Sequence, residues 1–414
     1  MRIAVYCKDY FPMETGFSIA FRGFCESIVK YNPDIEITVI TPAQVDQAVN
    51  GGAGVDRLNV VRLKPYHVER QSKLDGDFFL RISNTVKTVQ NRILWSRDIT
   101  KIFLQKKFDY ILFESADDLL LMALLPKSIL RRSVIRFHST GDTETARYGT
   151  GLLRRIERRL IKFRIAKNVK AILSTNEFHL NFVKAFYFEN DPYRLANCYF
   201  GIVPNVVRDE LDQNGDGSKS QYIKPDLVNV VTLGRMDKQG VAQKGFEDLL
   251  FALSSMKPAD REKLNIIIIG DGDCREDLSH LAKSLNLSNV VFAGRMANSQ
   301  VRNTLRDAEV VALLSRFEGL SMFAIEGMLS RSAVFFTRAG ALVDLVQGNG
   351  WAVDVQSVDQ MTSAFTAIAL TDKSTLSEFG SRSYQMATER FSEEAVARIG
   401  ASHLYNCLQL LKRQ

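Results

Sequence analysis

Two cations and two carboxylates in the second half of the chain have types and spacing suited to an anionic, hydroxyl-rich ligand. Arg235 follows the apolar run Val228–Leu233, and Lys244 stands nine positions further on. An arginine fork with a lysine point charge is a common way to neutralise a diphosphate. Gly245 then opens a helix and adds backbone N–H groups near such an anion. Glu318 and Glu326 are eight positions apart. Gly319, Leu320, Ser321 and Met322 between them form the first turn of a helix, whose N–H groups have no intrahelical partners. One carboxylate suits sugar hydroxyls and the other a ribose diol. A pair of carboxyls flanking a glycosidic bond is the other reading, but it leaves Arg235, Lys244 and the nearby glycine turns without a task.

Two residues of the first half complete the set. His138 ends the apolar run Val134–Phe137, where an imidazole can polarise or hydrogen-bond a reacting centre. Gly16 stands where the first helix begins and lets backbone approach a phosphate. Gly270-Asp271-Gly272-Asp273 is an incomplete GxGxxG, with Arg275 in the last glycine position, so a dinucleotide cofactor is not expected. With no His/Cys cluster and no acidic pair beside the first strands, no metal is expected.

The elements that must position these groups are short apolar strands alternating with amphipathic helices, the pattern of parallel α/β layers. Strands are predicted over 3–7, 35–40, 60–63, 110–113, 134–137, 171–174 and 201–203, then over 228–233, 266–269, 290–292, 310–314 and 334–336. Ile266-Ile267-Ile268-Ile269 reads as a strand covered on both faces. Arg235, Gly270–Asp273, Arg295, Glu318, His138 and the loop holding Gly16 follow the carboxyl ends of strands, where open parallel sheets bind ligands. A helix is predicted over 78–107, and the segment 238–243 is expected to be a loop. The polar, glycine-rich stretch from Asn205 to Pro225 separates two halves. A last helix presents Val396, Ile399, Leu404, Cys407, Leu408 and Leu411 on one face.

A length of 414 residues suits two domains: 1–205, 206–390, and a helix over 391–414 that packs back on the first. Cys7, Cys25, Cys198, Cys274 and Cys407 are odd in number and scattered, as in a reduced, cytoplasmic protein. The first residues read as a strand instead of a leader. No apolar run approaches the ~20 residues that span a bilayer. Residues 1–205 carry 31 Lys+Arg against 21 Asp+Glu, and the remainder 23 against 26. An anionic partner is therefore expected at the first half. Within it, 151–167 pairs an apolar side (Leu152, Leu153, Ile156, Leu160, Phe163) with Arg154, Arg155, Arg158, Arg159, Lys162 and Arg164. That stretch suggests peripheral docking on an anionic inner-membrane face. Interleaved aromatics of a nucleic-acid module are missing, and no nucleic-acid partner is expected.

At these residues the chain resembles the family 4 glycosyltransferases of the GT-B fold. The likeness is carried by Glu318-Gly-Leu-Ser-Met-Phe-Ala-Ile-Glu326, Gly234-Arg235-Met236 with Lys244-Gly245, Gly270-Asp271-Gly272 and Phe292-Ala293-Gly294-Arg295. In the first half, His138, Ser174-Thr175-Asn176-Glu177 and Val203-Pro204-Asn205 fall at comparable places. The resemblance implies two facing Rossmann-like domains and metal-independent, retaining transfer of a sugar from a UDP- or GDP-linked donor. It implies Arg235 and Lys244 on the diphosphate, Glu326 on the ribose, Glu318 on the donor sugar and His138 near the anomeric carbon. Gly272, Arg295 and Met296 would line the base pocket. The acceptor would be a glycan, lipid-linked or protein group, as in assembly of cell-surface glycan or glycolipid.

The chain departs from the pattern in its longer Arg235–Lys244 spacing, its single Gly16, Ser330-Arg331-Ser332-Ala333-Val334, and Val206 after Asn205. Two other classes fit the same scaffold. A nucleotide-sugar epimerase would need acid and base carboxylates in the first domain, and a degenerate member would only bind a nucleotide sugar or a protein.

Overall fold

The computed structural model describes residues 1–8, 10, 16–42, 55–64, 78–114, 119–138, 163–188, 191–207 and 219–413. The chain divides into two compact units, Met1–Val206 with Val396–Gln414, and Val207–Ala395. The basic segment 151–162 lies outside the described residues, as do Ser139–Asp142 after His138.

In the first unit the strands are β1 (Arg2–Cys7), β2 (Glu36–Pro42), β3 (Leu58–Leu63), β4 (Tyr110–Glu114), β5 (Ser133–Phe137), β6 (Ala171–Ser174) and β7 (Tyr199–Ile202). They form one sheet in the order β3-β2-β1-β4-β5-β6-β7, every pairing parallel. Period-2 alternation divides each strand between two cores. Ala4, Tyr6, Ile111, Phe113, Ile135 and Phe137 face one; Ile3, Val5, Tyr110, Leu112 and Val134 face the other.

The helix Glu393–Lys412 closes the second of these cores with Val396, Ala401, Leu404 and Cys407. Its Gly400 lies so close to the helix Gly16–Tyr31 that a Cβ there would stand 2.6 Å from Ile28 Cδ1. Tyr110 donates its hydroxyl hydrogen to Leu404 O, and Tyr199 Oη sits 2.6 Å from His403 Nδ1.

The second unit repeats the plan with β8 (Val228–Leu233), β9 (Leu264–Ile269), β10 (Val290–Gly294), β11 (Val310–Leu313), β12 (Ala333–Thr337) and β13 (Gly350–Val353). The order is β10-β9-β8-β11-β12-β13, again parallel throughout. The second sheet thus has the doubly wound 3-2-1-4-5-6 order of a Rossmann fold and the first has the same order with β7 added at its edge, with a topological switch point between β1 and β4 and between β8 and β11. Chains leaving adjacent strands there turn to opposite faces and leave a crevice at the carboxyl ends.

Strand β13 was not anticipated. Gly350-Trp351-Ala352-Val353 is a short edge strand that starts at glycine, too brief for a period to register. The segment 238–243, expected as a loop, is instead part of the helix Lys238–Lys244. The cause is local: Asp237 caps it, Oδ1 accepting from Gly240 N at 2.6 Å.

Candidate functional site

The loops leaving β8, β9 and β10 are hydrogen-bonded in series. Gly234 N donates to Ile269 O and Gly270 N to Gly294 O. Met236 N donates to Asp271 O, and Cys274 N to Met236 O. The glycines of Gly270-Asp271-Gly272 serve this approach. Gly272 has φ 153°, and a Cβ on it would lie 2.4 Å from Met236 C. Arg295 and Met296 follow β10, the arginine exposed and the methionine half-buried.

Arg235 leaves β8 into solvent, its side chain 63% exposed and its guanidinium 3.3 Å from Asp237. Lys244 closes the next helix, and its stem lies over Gly234, where a Cβ would come within 2.7 Å of Lys244 Cγ. Gly245 takes φ 65° as the joint between this helix and the next, Phe246–Ser254.

Across the switch point, the loop after β11 brings Glu318 to Lys244. Nζ donates to Oε2 at 2.5 Å, and Ser315 Oγ donates to the same oxygen at 3.2 Å. The structure therefore joins Lys244 and Glu318 directly, while Arg235 stands apart with Asp237. Gly319, Leu320 and Ser321 lead into the helix Met322–Leu329, and Ser321 Oγ accepts from Ala324 N. Gly327 lets that helix sit on β11, with Val311 Cγ1 2.7 Å from where a Cβ would be. Burial pushes the Glu326 carboxyl up, to about 7, against the pull of Arg302.

Gly16 and His138 belong to the first unit. Gly16 is the first residue of its helix. His138 Nδ1 lies 4.0 Å from Glu114 Oε1. Sequence reasoning missed what surrounds it. Glu114 ends β4 and Arg136 lies within β5, both fully buried and ion-paired. Arg136 also donates to Val203 O, Pro204 O and Asn205 Oδ1, so it ties the exit of β7 to β5. Burial pushes the Glu114 carboxyl up, to about 7, opposed by Arg136. A charged residue in the otherwise apolar Val134-Ile135-Arg136-Phe137 was the available signal. Near the end of β6, Asn176 Oδ1 accepts from His179 N, and burial lowers the His179 imidazole to about 4.

Among the described residues, no group of three or more His, Cys, Asp or Glu side chains could hold a metal ion. Nor is any helix among them long and apolar enough to cross a membrane.

Two doubly wound parallel α/β units, with a cation–carboxylate pair at the second unit's switch point, define the class: a Rossmann-like, two-unit α/β fold. Residues 228–370 match the family described as glycosyl transferases group 1, and this segment holds Arg235, Lys244, Glu318 and Glu326. An uncharacterized glycosyltransferase of Methanocaldococcus jannaschii is 31% identical over 106 residues, 26% of this chain and 28% of that protein. The MMP α-(1→4)-mannosyltransferase of Mycolicibacterium hassiacum is 27% identical over 161 residues, 38% of each. The matches thus span about a third of the length of these curated relatives. Two solved structures share the fold over nearly the whole chain. Sucrose-phosphate synthase of Thermosynechococcus elongatus is 16% identical, with TM-score 0.69 and all of both chains covered. Anabaena HepE, in complex with UDP and glucose, is 16% identical with TM-score 0.63, covering 98% of this chain and 100% of that one. The architecture is that of the GT-B glycosyltransferases.

Proposed function

We propose that the protein is a retaining, metal-independent glycosyltransferase that moves a sugar from a UDP- or GDP-linked donor to an acceptor. The observation that carries this reading is the Lys244–Glu318 contact at the β8/β11 switch point, inside the segment matched to the family. The ammonium stands on a carboxylate that an arriving diphosphate can replace. Lys244 then turns to the phosphate oxygens with Arg235, and Glu318 is released to accept a donor-sugar hydroxyl. Amides at the start of the helix after Ser321 face the same anion. Stabilising the departing diphosphate supplies most of the acceleration, and one preorganised donor is worth on the order of 10²–10³ in rate. Glu326 takes the ribose diol, and the family resemblance assigns His138 to the anomeric centre. Gly272, Arg295 and Met296 border the base.

HepE bound to UDP and glucose supports a uridine nucleotide as the first donor to try. The poly(ribitol-phosphate) α-N-acetylglucosaminyltransferase of Staphylococcus aureus, 25% identical over 192 residues, supports an acceptor in cell-surface glycan or glycolipid. The basic excess of the first half supports peripheral contact with an anionic membrane at the cytoplasmic face. A thermal-shift panel of UDP- and GDP-sugars, followed by product release with and without EDTA, tests the reading. Stabilisation by none of the nucleotides overturns it, and strict dependence on an added divalent ion overturns its metal-free part.

A further inference from the structure

The loop that carries Glu318 is held by a residue outside the set described above. Arg316 lies two positions before Glu318 and reaches back to the helix Phe246–Ser254. Its Nε donates to Asp248 Oδ2 and its Nη2 to Asp248 Oδ1, both at 3.0 Å. Glu247 Oε2 stands 3.7 Å from the same Nη2. Asp248 is buried. Its helix follows Lys244 directly through Gly245, so two adjoining helices hold Lys244 and the anchor for Arg316.

Around this fork the loop is laced on every side. Arg316 N donates to Gln243 O at 2.7 Å, and Gln243 Nε2 to Phe317 O at 3.3 Å. Thr337 Oγ1 donates to Ser315 O at 2.6 Å. The backbone links fix where the chain runs; the Arg316 fork fixes how far the loop can swing from Lys244. With both fork nitrogens on one carboxylate and a second carboxylate nearby, the guanidinium is neutralised and is poorly placed to bind an anionic ligand itself.

We infer that Arg316 is a positioning residue: its two-bond pair with Asp248 holds the loop after β11 so that Glu318 stays registered against Lys244 and the donor sugar. The inference rests on the glycosyltransferase reading. A bidentate pair is specific in direction as well as charge, and lysine cannot reproduce the fork. A displacement of about 1 Å in a substrate-positioning group costs on the order of a hundredfold in rate. Of the diphosphate cations, Lys244 ends the preceding helix and Arg235 lies in the loop after β8, so both sit outside the loop that the fork holds and keep their places when it is cut.

The test uses the full chain with UDP-glucose, UDP-N-acetylglucosamine and GDP-mannose, measuring release of the nucleoside diphosphate alongside calorimetric affinity for UDP and GDP. Arg316→Met and Asp248→Asn each lower turnover about a hundredfold, with nucleoside diphosphate affinity within about threefold of wild type. The double variant is no worse than either single one, as for two halves of one contact. Arg316→Lys keeps a cation beside Asp248, and with it the fold, yet loses about tenfold in turnover; it decides the matter if Arg316→Met does not fold. Wild-type turnover in Arg316→Lys and Arg316→Met overturns the inference alone. Turnover and nucleotide affinity falling together also overturn it, since Arg316 then acts on the whole site. Wild-type protein that binds none of the nucleotides overturns the functional reading and this inference with it.

Discussion

Lys244 and Glu318, 74 positions apart in the chain, meet end to end with 2.5 Å between Nζ and Oε2. Both side chains are largely shielded, 17% and 11% exposed. A pair in that setting is more than a surface ion pair, because each partner would be left poorly solvated without the other.

Lys244→Ala and Arg235→Ala therefore differ in kind. Each should weaken nucleoside diphosphate binding by about 1.5–3 kcal/mol through loss of a charge-assisted bond. Only Lys244→Ala should also lower the melting temperature, since Arg235 is exposed and its contact with Asp237 is solvated. Calorimetry and a thermal melt on both variants separate the effects. Wild-type affinity in both removes the diphosphate assignment.

Glu326 should make stability depend on pH. Its folded carboxyl is raised from 4.5 to about 7 by burial, so the native chain holds a proton that the unfolded chain has released. The contribution of this carboxyl to stability is fully present below about 4.5, falls as pH rises to about 7, and is lost above that. Glu326→Gln removes this contribution and leaves that of Glu114, which burial raises into the same range. It should melt higher than wild type at pH 8, by the equivalent of up to about 3 kcal/mol, and coincide with it near pH 4. The same variant should bind free nucleotide more weakly, the amide replacing one acceptor oxygen with a donor. A variant no more stable than wild type at pH 8 shows that the site already accommodates the charge.

The parallel sheets were legible because their strands are runs of Val, Ile and Leu buried on both faces, and Leu264–Ile269 is buried at every position. Arg235, Lys244, Glu318 and Glu326 stood out because each follows a strand end or a helix start. What the sequence hid depends on distant partners. Nothing local says that Lys244 meets Glu318, or that Arg316 bonds Asp248, 68 positions away. The helix Lys238–Lys244 was hidden by Gly240, although its Asp237 cap was visible. Arg136 was passed over because the run Val134–Phe137 reads as apolar overall, and the one charged residue in it is fully buried.

Arg136 gives a test in the first unit. It is fully buried against Glu114, and its guanidinium carbon stands 4.7 Å from the centre of the Phe24 ring. Breaking such a pair from one side costs about 3–5 kcal/mol, while replacing both partners by apolar groups of similar volume is often neutral. Arg136→Met should lower the melting temperature sharply, and Glu114→Leu/Arg136→Met should recover most of the loss. Because Arg136 also bonds the backbone carbonyls of Val203 and Pro204, recovery should be incomplete. A single variant that melts with wild type shows that the pair contributes nothing net.

The last prediction concerns Gly340, which touches no ligand group yet fixes where Glu318 lies. It takes φ 56° at the start of the short helix after β12, and a Cβ there would fall 1.8 Å from Glu318 O. Both facts disfavour alanine: the left-handed conformation costs an L residue roughly 1–2 kcal/mol, and the clash is with backbone, which no rotamer change relieves. The Glu318 side chain is held by Lys244 and Ser315 while its backbone carbonyl lies against Gly340, so added volume at 340 must shift that backbone and disturb the contact. Gly340→Ala should therefore lose most donor turnover while nucleoside diphosphate affinity changes little, since Arg235, Lys244 and Glu326 stay on their own elements. A melting curve and circular dichroism establish that the variant is folded. Steady-state kinetics with the accepted nucleotide sugar then decide. Turnover within about twofold of wild type would mean that Glu318 need not sit where this backbone holds it, and its role at the donor sugar would be withdrawn.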